Sequence, residues 1–259
     1  MAAPSFVAVG DVMVDVTSSG SGHRASIDLQ AGGSAVKAGF SAAACGASSS
    51  VVGRVGDDLA GRALRIAVEQ HGARADFTVD PQAPTGTFLL VDGEIRADRG
   101  ANARFEPEHL PDRLEGDAIL VSGYLPATTV AIALERADAG WVALAPALLD
   151  PLPAGAAAVL VDEVEARRLT GEEPEEAARA LGRAFRLACV TCGAGGAVAV
   201  LDGRLEACAA EPVDGVGPVG AGDAFAAGLL VALSRGAHLD EALDSGCRAG
   251  ARVAAGTAP

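Results

Sequence analysis

Short apolar runs alternate with longer stretches of helical spacing along most of the chain. Residues 6–9, 50–55, 119–122, 141–145, 159–162 and 187–191 are compact runs rich in Val, Ile, Leu and Ala, the pattern of strands covered on both faces. Helical spacing fills the intervals at 33–45, 59–71 (Leu64, Ala67 and Val68 on one side), 128–137, 163–169 and 175–181, and again at 222–234 and 239–254. Two hairpins are expected, 86–91 with 94–97 and 197–201 with 204–208, because Asp92-Gly93 and Asp202-Gly203 suit two-residue turns. Strand alternating with helix predicts an α/β fold with a mostly parallel central sheet flanked by helices. Residues 17–30 break the rhythm: a Ser/Gly-rich stretch is followed by the alternation Ser26-Ile27-Asp28-Leu29, which reads as an exposed strand. With the 85–99 hairpin it predicts a small accessory sheet.

The chain has 259 residues, 50% of them hydrophobic but only 3% aromatic, so the core is expected to be built of Ala, Val and Leu. With no interdomain linker and no internal repeat, residues 1–259 read as one domain. Mean hydropathy is +0.30, yet no apolar run approaches the length of a membrane span; the longest candidate, 224–233, is bounded by Asp223 and Ser234. The start, Met-Ala-Ala-Pro-Ser, lacks the basic residues and apolar stretch of a secretory leader, so a cytoplasmic location is expected. A net charge of −14 argues against a nucleic-acid partner, which needs a positive field. Lys37 is the only lysine. Val36 before it and Ala38 after it exclude the phosphate-cradling GxxxxGK[ST] loop. Cys189 and Cys192 lie three apart on or beside a strand and point to opposite faces, so the five cysteines are read as ordinary buried thiols rather than metal ligands.

The densest chemical signal is Gly215-Val-Gly-Pro-Val-Gly-Ala-Gly-Asp-Ala-Phe225. Gly220, Ala221 and Gly222 lead into an apolar helix and place backbone N–H groups at its positive end, which is an anion site. Asp223 either caps that helix or faces the bound anion for a chemical purpose. Gly215, Gly217 and Gly220 also fit the dinucleotide-binding GxGxxG pattern, with Asp240 and Glu241 about twenty residues on, but that unit requires a strand after the helix, where a second helix is expected.

These residues resemble the ribokinase-like (PfkB) carbohydrate kinases. Val219-Gly-Ala-Gly-Asp-Ala-Phe225 is similar to the family's C-terminal signature, and Gly32-Gly33 with the following helix to its N-terminal one. Gly10-Asp11 with Asp15, Gly53-Arg-Val-Gly-Asp57, Arg99-Gly-Ala-Asn102, Asp162-Glu-Val-Glu165 and Thr191-Cys-Gly193 fall in family order over nearly the whole chain. The resemblance implies a ribokinase-like core with a β-sheet lid from about 14–31 and 85–99, and transfer of the γ-phosphate of ATP to a sugar hydroxyl. It implies Asp223 as general base, Gly220, Ala221 and Gly222 as the anion hole, and Thr191 and Gly193 along the nucleotide. Asp162 and Glu165 would organise Mg²⁺ through water; Asp15, Gly33, Lys37 and Asn102 would lie on the sugar side. A homodimer through the lid would fit the same resemblance. A nucleoside kinase of the superfamily and a ligand-binding member with little turnover are the alternatives.

Four positions depart from the family pattern. Lys37 stands where Asn usually meets sugar hydroxyls, Asp162 replaces an Asn, and Gly217 replaces an Asp. The sequence ends at Pro259, where relatives commonly continue with another strand and helix, so the monovalent-cation site some carry there is not assumed. An ammonium at position 37 needs a partner. A sugar-acid carboxylate is one candidate; an internal ion pair with Asp11, Asp15 or Asp57, or a side chain that simply reaches water, is the alternative.

Overall fold

The computed structural model describes residues 2–20, 22–213 and 219–256; Gly215 and Gly217 of the glycine-rich stretch, and with them the GxGxxG match, lie outside the described residues. The chain begins β1 (Ser5–Val9), β2 (Met13–Ser19), β3 (Ser26–Gly32), α1 (Ser34–Ala44), β4 (Ser48–Gly56), α2 (Leu59–Gln70) and β5 (Ala73–Asp80). It continues with β6 (Gly86–Val91), β7 (Glu94–Asp98), β8 (Leu114–Ser122), α3 (Ala127–Glu135), β9 (Ala137–Ala145), β10 (Ala158–Asp162), α4 (Glu163–Thr170) and α5 (Pro174–Leu181). It closes with β11 (Leu187–Thr191), β12 (Ala197–Leu201), β13 (Arg204–Cys208), α6 (Ala221–Ser234) and α7 (Leu239–Ala254).

Nine strands form one sheet in the order β13-β12-β11-β10-β9-β8-β1-β4-β5. From β11 to β5 every neighbouring pair is parallel, and the β11-β12-β13 end is antiparallel. The chain runs from β1 outward to β4 and β5, then returns to the other side of β1 and builds β8 to β11. The direction of winding therefore reverses between β1 and β8, and crevices at such a reversal, beyond the carboxyl ends of the strands, are where open α/β sheets bind ligands. Helix α6 is buried from Ala224 to Val231, which explains its lack of a polar face: it packs between α1, α7, β8 and β9.

The second sheet is four-stranded, in the order β3-β2-β6-β7. Its central pair β2–β6 is parallel and its outer pairs are antiparallel. This is the lid expected from the break at 17–30. Both Asp-Gly turns form as expected, with Asp92 at φ 49 and Gly93 at φ 85, and Asp202 at φ 49 and Gly203 at φ 81.

The sequence pattern assigned no strand to β2 or β5 and misplaced the borders of β8, β9 and α3. In β5 only Ala73, Ala75, Phe77 and Asp80 are buried, because it is an edge strand whose charged residues Arg74 and Asp76 break the apolar run. Strand β8 starts at Leu114 and β9 at Ala137, not at 119 and 141. Their polar first halves pair with each other beyond the apolar core, Glu115 beside Asp138. Helix α3 correspondingly ends at Glu135. Among the cysteines only Cys189 is fully buried; Cys45, Cys192, Cys208 and Cys247 are half-buried, and all are free thiols. Among the described residues no group of His, Cys, Asp and Glu forms a metal-binding cluster, and no helix is long and apolar enough to cross a membrane.

Candidate active site

The crevice at the β1–β8 reversal is closed from above by the start of α1 and by the amino end of α6. Gly33 adopts φ 91, and a Cβ there would sit 2.2 Å from the Asp11 carbonyl oxygen. Only glycine lets α1 start this close to the end of β1. Across the reversal the Ser34 hydroxyl donates to the Ser122 hydroxyl at 2.9 Å, joining α1 to the tip of β8.

Helix α6 opens at Gly220, with φ 120 and no side-chain cap. Its first intrahelical bond runs from the Ala224 amide to the Gly220 carbonyl at 3.0 Å, so the amides of Ala221, Gly222 and Asp223 stand ahead of the ladder. Asp223 occupies the first turn without capping it. Burial pushes the Asp223 carboxyl up to about 7; the charge of Lys37 opposes the shift, and those of Asp15, Asp11 and Glu165 add to it.

The lid supplies Asp15 from β2. Gly32 makes room for it, since a Cβ on Gly32 would fall 2.0 Å from an Asp15 carboxylate oxygen. Lys37 Nζ lies 2.5 Å from Asp15 Oδ2, with side chains 18% and 13% exposed. The Lys37 stem crosses Gly220, where a Cβ would come within 2.5 Å of its Cδ. Its ammonium also stands 5.9 Å from the centre of the Phe88 ring on β6. Of the two partners open to Lys37 in the sequence, the fold places the internal one beside it.

Asn102 is brought to the same corner but is 0% exposed. Its carbonyl accepts from the Val12 amide at 2.9 Å, and its amide donates to the carbonyls of Val12 at 3.0 Å and Arg99 at 3.1 Å. It therefore shapes the β1–β2 connection from behind the crevice wall. Arg99 in turn pairs with Asp11 at 2.7 Å, although burial leaves the Asp11 carboxyl above its usual range despite that partner.

On the far side, β10 and β11 end level with each other, Asp162 beside Thr191. The Glu165 amide donates to Asp162 Oδ1 at 2.7 Å, and the Asp162 amide to Glu165 Oε2 at 3.1 Å. This capping box fixes both carboxylates while leaving one oxygen of each outside the pair of bonds. Gly193, at φ 53, opens an exposed turn after Thr191 and Cys192. Tyr124, just past β8, was not singled out from the sequence. It is the only tyrosine and belongs to no motif. Its phenol is pushed up by partial burial and by the charges of Glu165, Asp223, Asp11 and Asp162.

The charges that act on Asp223 are those of Asp11, Asp15 and Glu165, opposed by Lys37, with Arg99 paired to Asp11 and Asp162 boxed with Glu165. A polyphosphate entering the crevice meets net negative charge except at the α6 amides. A hard divalent cation that keeps most of its water suits the free oxygens of Asp162 and Glu165 and offsets that repulsion.

A sequence model of pfkB family carbohydrate kinases matches residues 3–257. The chain belongs to that family. A fructokinase of Klebsiella pneumoniae is 29% identical over 259 residues, spanning 87% of this chain and 83% of its own. A ribokinase of Bacillus subtilis (strain 168) is 28% identical over 230 residues, 82% of this chain and 77% of its own. The structure of a ribokinase from Thermotoga maritima superposes with a TM-score of 0.83 at 22% identity, covering 99% of this chain and 96% of that one. An adenosine kinase from Sinorhizobium meliloti gives 0.84 at 22% identity, covering 98% and 94%. The fold is ribokinase-like and the chain is a phosphotransferase of the carbohydrate-kinase type. The dinucleotide reading is excluded, because α6 is followed by α7 and not by a strand.

Proposed function

We propose that the protein transfers the γ-phosphoryl group of ATP to a hydroxyl of a neutral sugar. The observation that carries this reading is Asp223: an uncapping carboxylate, poised near neutrality, at the mouth of free helix amides. Asp223 takes the hydroxyl proton as the sugar oxygen attacks the γ-phosphorus and the bond to ADP breaks. The amides opened by Gly220, Ala221 and Gly222 hold the charge developing on the transferred group. Thr191 and Gly193 border the nucleotide, and Mg²⁺, held by Asp162 and Glu165 through water, would neutralise phosphate charge. Asp15 accepts from sugar hydroxyls; Gly33 and Asn102 serve by fixing the backbone around them. A neutral sugar is favoured over a sugar acid because Asp15 already balances Lys37 and the rest of the cleft is acidic.

Coupled ADP release across sugars, sugar acids and nucleosides tests the reading. A neutral sugar should give the highest turnover, and Asp223→Asn should lower it roughly a hundredfold or more. Near-wild-type turnover of Asp223→Asn, or exclusive use of sugar acids, would refute it.

The lid also suits a second copy of this chain. Leu29, Val16 and Leu89 pair in a row across three strands, and Leu29 and Ile27 are 65% and 62% exposed. Sedimentation should show a dimer that Leu29→Lys dissociates; a wild-type monomer at micromolar concentration would count against it.

A further inference from the structure

Lys37 sits at the one point where lid, acceptor corner and helix end meet. Its backbone belongs to α1, its ammonium pairs with Asp15 on β2 and faces Phe88 on β6, and its stem lies over Gly220. A counter-ion for Asp15 alone has no need to cross the opening residue of α6. That route brings an ammonium to the positive end of a helix, where the macrodipole disfavours it. An ammonium and a row of unbonded helix amides brought together in this way favour an anion beside them.

We propose that Lys37 is a charge released by the acceptor: Asp15 holds its ammonium in the free enzyme, and sugar hydroxyls occupying Asp15 free it to contact the transferred phosphoryl group. This rests on the reading of Asp223 and Asp15 given above. A carboxylate that accepts from sugar hydroxyls has less of its lone-pair capacity left for an ammonium. Nearby Asp223 and the incoming γ-phosphate then compete for the released donor. A charge-assisted contact to phosphate is among the stronger hydrogen bonds, and it strengthens as charge accumulates in the transition state. Full stabilisation of the transferred group thus requires acceptor in place, which suppresses transfer to water.

As the only lysine, Lys37 can be followed without altering the protein. An acyl-phosphate derivative of ATP donates its acyl group to a lysine amine beside the phosphates, forming an amide and releasing ATP. Peptide mass spectrometry should find acylation of Lys37 several-fold greater with the acceptor sugar present than without it. Labelling that is equal in the two conditions, or lower with sugar, overturns the proposal. Kinetics provide a second readout. Lys37→Met should lower kcat about a hundredfold with little change in the sugar KM, as for loss of one oxyanion donor. Asp15→Asn should raise both the sugar KM and sugar-independent ATP hydrolysis. Unchanged kcat with a raised KM in Lys37→Met would make Lys37 an acceptor ligand and overturn the proposal. Loss of turnover in Asp223→Asn with retention in Lys37→Met defeats this inference alone; wild-type turnover in Asp223→Asn defeats the underlying reading as well.

Discussion

Asp223 is raised toward neutrality by desolvation and by three neighbouring carboxylates, with Lys37 as the opposing charge. The sign of its pH effect follows directly. The base works only when ionised, so kcat should fall about tenfold per pH unit once pH drops below about 7. Removing the Lys37 charge takes away an influence that holds the Asp223 carboxyl down, so the acid limb of Lys37→Met should move to higher pH. A pH profile of kcat for both proteins checks this, and an unmoved limb would separate Lys37 from Asp223. The placement of Asp223 in the first turn of α6 was legible in the sequence. Asp223 and its glycines sit in one contiguous signature, and such a turn positions its own neighbours. The Lys37–Asp15 pair was one of several options, since it forms only when the lid strand folds over α1. Tyr124 carried no signal at all, because a single aromatic after a strand looks the same whether or not it borders a cleft.

Among the elements, the strands with unbroken apolar runs and the helices with clear spacing were readable, while β5 was not. Its last residue shows what an edge strand can nonetheless contribute. Asp80 is 1% exposed and binds Arg54 at 3.2 Å and Arg104 at 2.9 Å. It also accepts from the amides of Gln82 and Ala83 at 2.8 and 3.1 Å. Burial alone would push this carboxyl up, but those amides and Arg54 hold it down at about 2. Asp58, the cap of α2, fastens the next residues through the Thr85 amide at 2.8 Å and hydroxyl at 2.6 Å. Together they tie the start of β6, and so the lid, to the central sheet. Asp80→Ala leaves Arg54 buried without its partner and should cost about 3–5 kcal/mol in denaturant unfolding. The stabilisation from Asp80 is present above the unfolded carboxylate value and is lost as pH falls from about 4 to about 2. Acid titration of the wild type against Asp80→Ala should show a smaller pH dependence in the variant over that window.

For the whole molecule, net charge −14 is expected to make nucleotide binding depend on the cation that comes with it. ATP with Mg²⁺ should raise the melting temperature, the linkage amounting to about 2.7 kcal/mol at a hundredfold excess over Kd. NAD should not, for want of the second strand of a dinucleotide unit. A scan with ATP, ATP–Mg²⁺ and NAD separates these cases; stabilisation by NAD alone would overturn the assignment of the helix end to a kinase. The architecture itself was readable because alternation of strand and helix leaves few solutions once connections are short and right-handed.

The same sheet has two open margins, and both carry charge. β5 presents Arg74 paired with Asp76, and β13 exposes Arg204 and Glu206. A bare strand margin invites another chain to add to it, and fibres grow that way; charged side chains along the margin repel such addition. Polymerisation of the native protein strand upon strand is therefore blocked at both ends, and concentrated solutions should hold small closed particles rather than filaments.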